Sequence, residues 1–289
     1  MIIVTGATGT LGSQVVERLL LRVPADQVGV SVRDPGRAEH LAARGVRVRE
    51  GDFTDPASLA RAFEGATRAL VVSAAIRGDG AVEANCAAID AARAAGAGRV
   101  VYTSHQAASP DSLFAPQRTH AATEAHLAGL DVPFTALRNG FYASSLGLFV
   151  GDALRTGRLV APADGPVSWT AHADLAEAAA VALTGSDDAT TLDGVTPPLT
   201  AATTLDLAAV AARLTEISGT SVTRVVVPDE EWRAQAVAAG MPPGAADFTL
   251  GMYAAARRGE FDVVDPTLGS LLGRATTPAE DAIAGIAAG

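Results

Sequence analysis

The first twelve residues constrain the fold more than any other stretch. Ile2-Ile3-Val4-Thr5 is a short apolar run, and Gly6-Ala7-Thr8-Gly9-Thr10-Leu11-Gly12 follows it at once. The run predicts a buried strand. The glycines, spaced every three residues, predict a turn into a helix carrying Val15, Val16, Leu19 and Leu20. Glycine tolerates positive φ and lets another group approach the backbone. A helix N-terminus adds unpaired N–H groups and a partial positive charge. Together they predict a pyrophosphate cradle built from Gly6, Thr8, Gly9, Thr10, Leu11 and Gly12, the opening of a dinucleotide-binding fold. Gly-x-x-Gly-x-x-Gly is weak as a bare pattern. Its position between a strand and an amphipathic helix gives it weight.

Short apolar strands and helices then alternate. Strands are predicted at Val28 to Val32, Val46 to Arg49, Ala69 to Val72, Val100 to Thr103 and Phe134 to Leu137. Helices are predicted at Arg37 to Ala43, from Pro56 to near Gly65, at Gly80 to Ala95 and at Thr119 to Leu130. This alternation implies an α/β fold, a Rossmann-type doubly wound parallel sheet. After Gly140 the rhythm changes. Residues 141–157 read as helical, Gly157 to Gly165 as turn, and 171–183 as a helix returning to the sheet. A short strand (Leu192 to Val195), a helix (Leu205 to Ile217), a strand (Val222 to Val227) and further helices follow. The expected organisation is a nucleotide-binding domain over 1–150 and a smaller, mostly helical C-terminal lobe over 151–289 that binds substrate.

Composition removes several functions. A net charge of −10 argues against nucleic acid as the main partner. No run has the apolar length of a membrane span, and no signal peptide is expected. A single cysteine, Cys86, fits a cytoplasmic protein. No metal-ligand spacing occurs among the five histidines. All 22 basic residues are arginine. With no lysine there is no Schiff base, no P-loop lysine and no Tyr/Lys catalytic pair, and arginine cannot replace lysine as a titrating group.

Candidate site residues sit at the strand ends. Arg33 closes the second strand in Ser31-Val32-Arg33-Asp34-Pro35. An acid about 20 residues past the glycines receives the ribose of NAD, whereas an arginine accommodates the 2′-phosphate of NADP. Guanidinium forks match phosphate oxygens, so Arg33, assisted by Arg37, predicts NADP(H); the adjacent Asp34 points the other way. Asp52 and Phe53 follow the third strand, as an adenine contact or as a turn acid and a core aromatic. Ser73 and Ala74 are small, as a close-passing cofactor requires. Tyr102-Thr103-Ser104-His105 ends the fifth strand, where such folds bind ligand.

Several stretches recur together in one family. They are Thr5 to Gly12, Val32-Arg-Asp-Pro35, Gly51-Asp-Phe53, Ala91 to Gly96, Tyr102-Thr-Ser104, His120 with Thr123-Glu124, Leu137-Arg-Asn-Gly-Phe-Tyr142 and Leu271 to Pro278. On these the chain resembles the NmrA-like branch of atypical short-chain dehydrogenases and, within it, the type 2 NADPH:quinone oxidoreductases. The resemblance runs nearly the whole length. It departs modestly at Ser73-Ala74-Ala75, where the family has more serine, and at Phe141, where tryptophan is common.

The resemblance implies NADP(H) held by the cradle, Arg33, Asp52, Phe53, Ser73, Ala74, Thr103 and Asn139. It implies hydride transfer to a quinone-like small molecule by a monomer or homodimer. Ser104 matches the serine that follows the fifth strand in typical short-chain dehydrogenases, but His120-x-x-x-Glu124 replaces their Tyr-x-x-x-Lys. Quinones accept hydride readily because the anion formed is delocalised, so positioning supplies most of the catalysis. His120, Tyr142 and Ser104 are the candidate hydrogen-bond donors. For His120, pocket shaping through Ser104 is an equal alternative. A second function stays open: an NADP-binding redox sensor without turnover.

Overall fold

Ile2 to Thr5 are buried on every side, and such a strand needs neighbours on both edges. In this computed structural model, which describes residues 1–76, 78, 80–185 and 192–288, it has them. In chain order the first elements are β1 (Ile2–Thr5), α1 (Thr10–Leu20), β2 (Val28–Val32), α2 (Glu39–Ala42), β3 (Arg47–Glu50), α3 (Pro56–Phe63), β4 (Arg68–Val71) and α4 (Gly80–Ala94). Then come β5 (Arg99–His105), α5 (Ala115–Ala128), β6 (Phe134–Asn139), β7 (Phe141–Tyr142), α6 (Gly147–Thr156), β8 (Arg158–Ala161) and β9 (Trp169–Thr170). The chain continues through α7 (His172–Thr184), β10 (Gly194–Val195), α8 (Leu207–Ser218), β11 (Thr223–Val226), α9 (Asp229–Ala238), α10 (Pro243–Arg257), α11 (Thr267–Leu272) and α12 (Ala279–Ala288).

The chain divides into two compact units. One comprises Met1–Ala108, Thr119–Asn139 and His172–Pro197, the other Ser109–Arg118, Gly140–Ala171 and Pro198–Gly289. Among the described residues the first unit holds a seven-stranded sheet in the order β10-β6-β5-β4-β1-β2-β3. Every pairing in it is parallel. This is the doubly wound sheet expected, and its order reverses between β1 and β4. Ile3, Leu59, Phe63, Ile89, Tyr102 and Leu127 belong to one buried cluster of this unit. Val15, Val16 and Leu19 of α1 are also fully buried, and α1 packs closely against α7. Each such side chain contributes about 1.5–3 kcal/mol of apolar transfer energy.

The second unit is mostly helical, with two small parallel pairings, β7 with β9 and β8 with β11. Both correct expectations. Phe141 and Tyr142 open the segment read as helix, because they pair with Trp169 and Thr170; the α-helix starts only at Gly147. The stretch read as turn contains β8, whose alternating exposed and buried positions cover only four residues. Four residues are too few for periodicity to declare a strand. The core of this unit is aromatic: Phe141 lies edge-on to Trp169 and Phe261. Among the described residues, no helix is long and apolar enough to cross a membrane.

Candidate active site

The cradle is made of backbone. Gly6 has φ +62°, and its carbonyl accepts the N–H of Gly9. A Cβ on Gly12 would stand 2.2 Å from the Gly6 oxygen, so no other residue allows α1 to begin this close to β1. Gly9 caps α1 without any side-chain bond, and the first turn has no acid. A negative group is therefore not already supplied by the chain, which fits a pyrophosphate. Gly9 and Thr10 are open to solvent and Thr8 is half-buried, whereas Leu11 is buried and offers only its N–H.

At the end of β2, Asp34 turns its carboxylate onto the N–H of Gly36, 3.0 Å away, and caps its own turn. Arg33 and Arg37 are exposed and form no hydrogen bond or ion pair with described residues. The Asp34 carboxylate is thus engaged in its own turn, while the Arg33 guanidinium stays exposed. Asp52 accepts the N–H and hydroxyl of Thr54 at 2.8 and 2.7 Å on one oxygen, which holds its pKa below the usual carboxylate value, helped by the Arg33 charge. Phe53 is half-buried and packs against the core of the first unit.

Where the strand order reverses, the chain leaves β4 through Val72, Ser73 and Ala74. Their successive N–H groups go to three side chains: Thr5 Oγ1 at 2.9 Å, Thr103 Oγ1 at 2.8 Å and Asn85 Oδ1 at 2.8 Å. Ser73 and Ala74 keep their half-exposed side chains beside this crevice. Thr103 is buried and acts as the anchor. Asn139, at the end of β6, is buried with its Oδ1 unpartnered, as suits an acceptor awaiting an N–H donor.

Two rungs join β5 to α5. Tyr102 and Ser104 point to one face of the strand, and His120 and Glu124 lie one helical turn apart. Tyr102 Oη bonds His120 Nδ1 at 2.8 Å, and Ser104 Oγ donates to Glu124 at 2.6 Å. Glu124 also receives the Nε and Nη2 of Arg138 at 3.0 and 2.7 Å. The carboxylate is buried and paired, as a buried charge must be. The serine proton is therefore committed to Glu124, not offered to a ligand, and Ser104 does not meet His120. Burial pushes the His120 pKa down to about 4, and that of the adjacent His105 ring to about 3.

Tyr142 stands on β7 in the second unit, half-buried. Gly140 just before it is forced by packing: a Cβ there would lie 2.1 Å from Thr170 Oγ1. The Arg138-Asn139-Gly140 stretch thus has one residue for the ladder, one free acceptor and one close approach. In the same unit Phe141, Phe149, Trp169, Met252 and Tyr253 line a narrow, largely apolar pocket with room for little more than one water. Trp169 also donates its indole N–H to Leu205 O at 2.9 Å.

Asn85 escaped the sequence reading as a site residue, and Tyr102 was read only as part of the ligand-binding end of the fifth strand. The available signal was polar Tyr-Thr-Ser at buried positions of a central strand, facing a His and a Glu four apart on a helix.

The NAD(P)H-binding family matches residues 6–185. Quinone oxidoreductase 2 of Escherichia coli (strain K12) is 34% identical over 286 residues, 98% of this chain and 97% of that protein. A crystal structure of an Escherichia coli NADPH-dependent quinone oxidoreductase complexed with NADPH superposes with a TM-score of 0.92 at 32% identity, covering 99% of both chains. A Citrobacter sp. triphenylmethane reductase complexed with NADP(H) superposes with a TM-score of 0.90 at 32% identity, covering 99% of this chain and 100% of that one. The chain belongs to the NAD(P)H-binding family.

Proposed function

We propose that this protein is an NADPH-dependent oxidoreductase that reduces quinones and comparable flat, electron-poor compounds. One observation carries the reading. Where typical short-chain dehydrogenases keep a lysine-assisted tyrosine, this chain holds His120, neutral and bonded to Tyr102. Such a site offers a hydrogen bond but no strong acid, which suits an acceptor whose reduced anion is already stable. The full-length likeness to enzymes named for quinone and triphenylmethane dye reduction supports it.

In this reading NADPH, when bound, supplies the hydride. The N–H groups of Gly6 to Gly12 bind its pyrophosphate, with Thr8 and Thr10 at the rim. Arg33 binds the 2′-phosphate, and Asp52 retains one carboxylate oxygen for the adenine, with Phe53 beneath. Ser73, Ala74, Thr103 and Asn139 form the nicotinamide end. His120 donates to the substrate oxygen that gains charge. Ser104 acts through Glu124 as a positioning residue. The net reaction takes one hydride and one solvent proton to give a hydroquinone. The single cysteine fits a cytoplasmic setting.

Steady-state NADPH oxidation with menadione or benzoquinone tests this. Turnover is expected with both. NADPH binding by calorimetry without turnover of either would overturn it in favour of a cofactor sensor.

A further inference from the structure

His120 uses one ring nitrogen and leaves the other. Nδ1 meets Tyr102, while Nε2 has no partner among the described residues and is not sealed from solvent. Which nitrogen carries the proton decides whether the histidine can donate to a substrate at all. The chain of bonds behind Tyr102 answers this.

The chain of bonds starts at Ala74. A backbone N–H can only donate, and Ala74 N lies 2.8 Å from Asn85 Oδ1. The amide of Asn85 is thereby oriented, and its Nδ2 must be the atom facing Tyr102 Oη at 3.2 Å and Thr123 Oγ1 at 3.5 Å. Thr123 sends its own proton to Thr119 O at 2.9 Å, so its oxygen is free to accept. Asn85 is 1% exposed and Tyr102 fully buried, so water does not compete. With Oη accepting from Nδ2, the tyrosine proton is directed to His120 Nδ1, 2.8 Å away. A nitrogen that accepts carries no proton, and the neutral ring then bears it on Nε2.

We propose that Asn85 and Tyr102 form a one-way hydrogen-bond relay that fixes His120 as its Nε2–H tautomer, which makes both of them positioning residues for the reduction. The part played in reduction rests on the proposed function; the tautomer does not. The groups around the ring agree. His105 stacks on it at 6.1 Å and is itself neutral, while Glu124, one turn along α5, is neutralised by Arg138. Burial keeps the imidazole uncharged near neutral pH, so one proton has one place to sit. A neutral donor of this kind polarises a carbonyl without having to be reprotonated in each cycle.

The test is long-range proton–nitrogen correlation NMR at pH 7 on protein labelled with nitrogen-15 histidine, without cofactor or substrate. The five histidines are assigned with His120→Gln. Wild-type protein is expected to show His120 protonated at Nε2 and bare at Nδ1. Asn85→Asp reverses the relay: a carboxylate can only accept from the phenol, so Oη turns acceptor and His120 should switch to Nδ1–H. Tyr102→Phe should give a mixture of tautomers. It should also lower kcat for benzoquinone by less than about 10²-fold, with the Kd for NADPH unchanged. An Nδ1–H tautomer in the wild type would overturn the proposal without any variant, as would an unchanged tautomer in folded Asn85→Asp protein. Protein with the Nε2–H tautomer but no quinone turnover would leave the relay standing and refute the proposed function.

Discussion

The two ends of the strand-order reversal are built from opposite materials. The β1–α1 end is made by absent side chains: Gly6 in a left-handed conformation, Gly12 within contact of the Gly6 carbonyl and a helix start with no side-chain cap. The β5–α5 end is made by buried side chains that hold one another: Asn85, Tyr102 and His120 in one line, Ser104, Glu124 and Arg138 in the other. A backbone site tolerates change around it and recognises what all dinucleotides share. A buried polar network is all or nothing, since each member left alone bears the cost of desolvation. The first end is suited to binding, the second to setting what happens to the bound molecule.

The sharpest way to break the comparison is to fill the cradle. Gly9 is exposed at the start of α1, and Gly9→Val puts branched carbons over the free N–H groups. NADPH binding by calorimetry should weaken by more than about 10²-fold, the loss of more than one charge-assisted bond, while the thermal unfolding midpoint hardly moves. The ladder should behave inversely. Arg138→Met strands the Glu124 carboxylate, which is 8% exposed, and should cost about 3 kcal/mol of stability in denaturant titrations.

A smaller effect separates binding from cofactor choice. Arg33→Ala should remove about 1.5–3 kcal/mol of NADPH affinity and leave NADH affinity nearly unchanged. Equal losses for both cofactors, by parallel titration, would move the 2′-phosphate away from β2.

The smallest effect lies in acid stability. His120 and His105 have folded-state pKa values pushed down to about 4 and about 3, below the ordinary 6.5. The unfolded chain therefore binds more protons between these values. Stability is full above about pH 6.5 and is lost as pH falls toward 4. In thermal melts from pH 7 to 4.5, His120→Gln should show a shallower decline than the wild type. Parallel curves would mean that the ring is not held neutral by its surroundings.

The same contrast explains what could be read before any fold was known. The cradle was legible because glycine spacing is a local pattern, and the parallel sheet because its strands are continuous apolar runs. The place of Arg33 and Asp34 just past a strand was legible, but the turn that engages the Asp34 carboxylate was not. Ser104 misled as a donor, because its match to a familiar position says nothing of the Glu124 opposite it. Asn85 was invisible: nothing near it in the chain reveals that it takes the N–H of Ala74, 11 residues back, and reaches Tyr102, 17 residues on. β7, β8 and β9 were missed because two to four residues carry no period.

The central claim is that one end of the crevice binds and the other directs the chemistry. His120→Ala tests it most directly, with NADPH Kd by calorimetry and kcat for benzoquinone measured on the same preparation. The predicted result is a Kd within about twofold of wild type and a kcat lowered by less than about 10²-fold, as for a donor that assists a reaction set mainly by geometry. A Kd that worsens as much as kcat falls would contradict the division of labour. Complete loss of turnover with Kd intact would make His120 the essential acid that this account says the reaction does without.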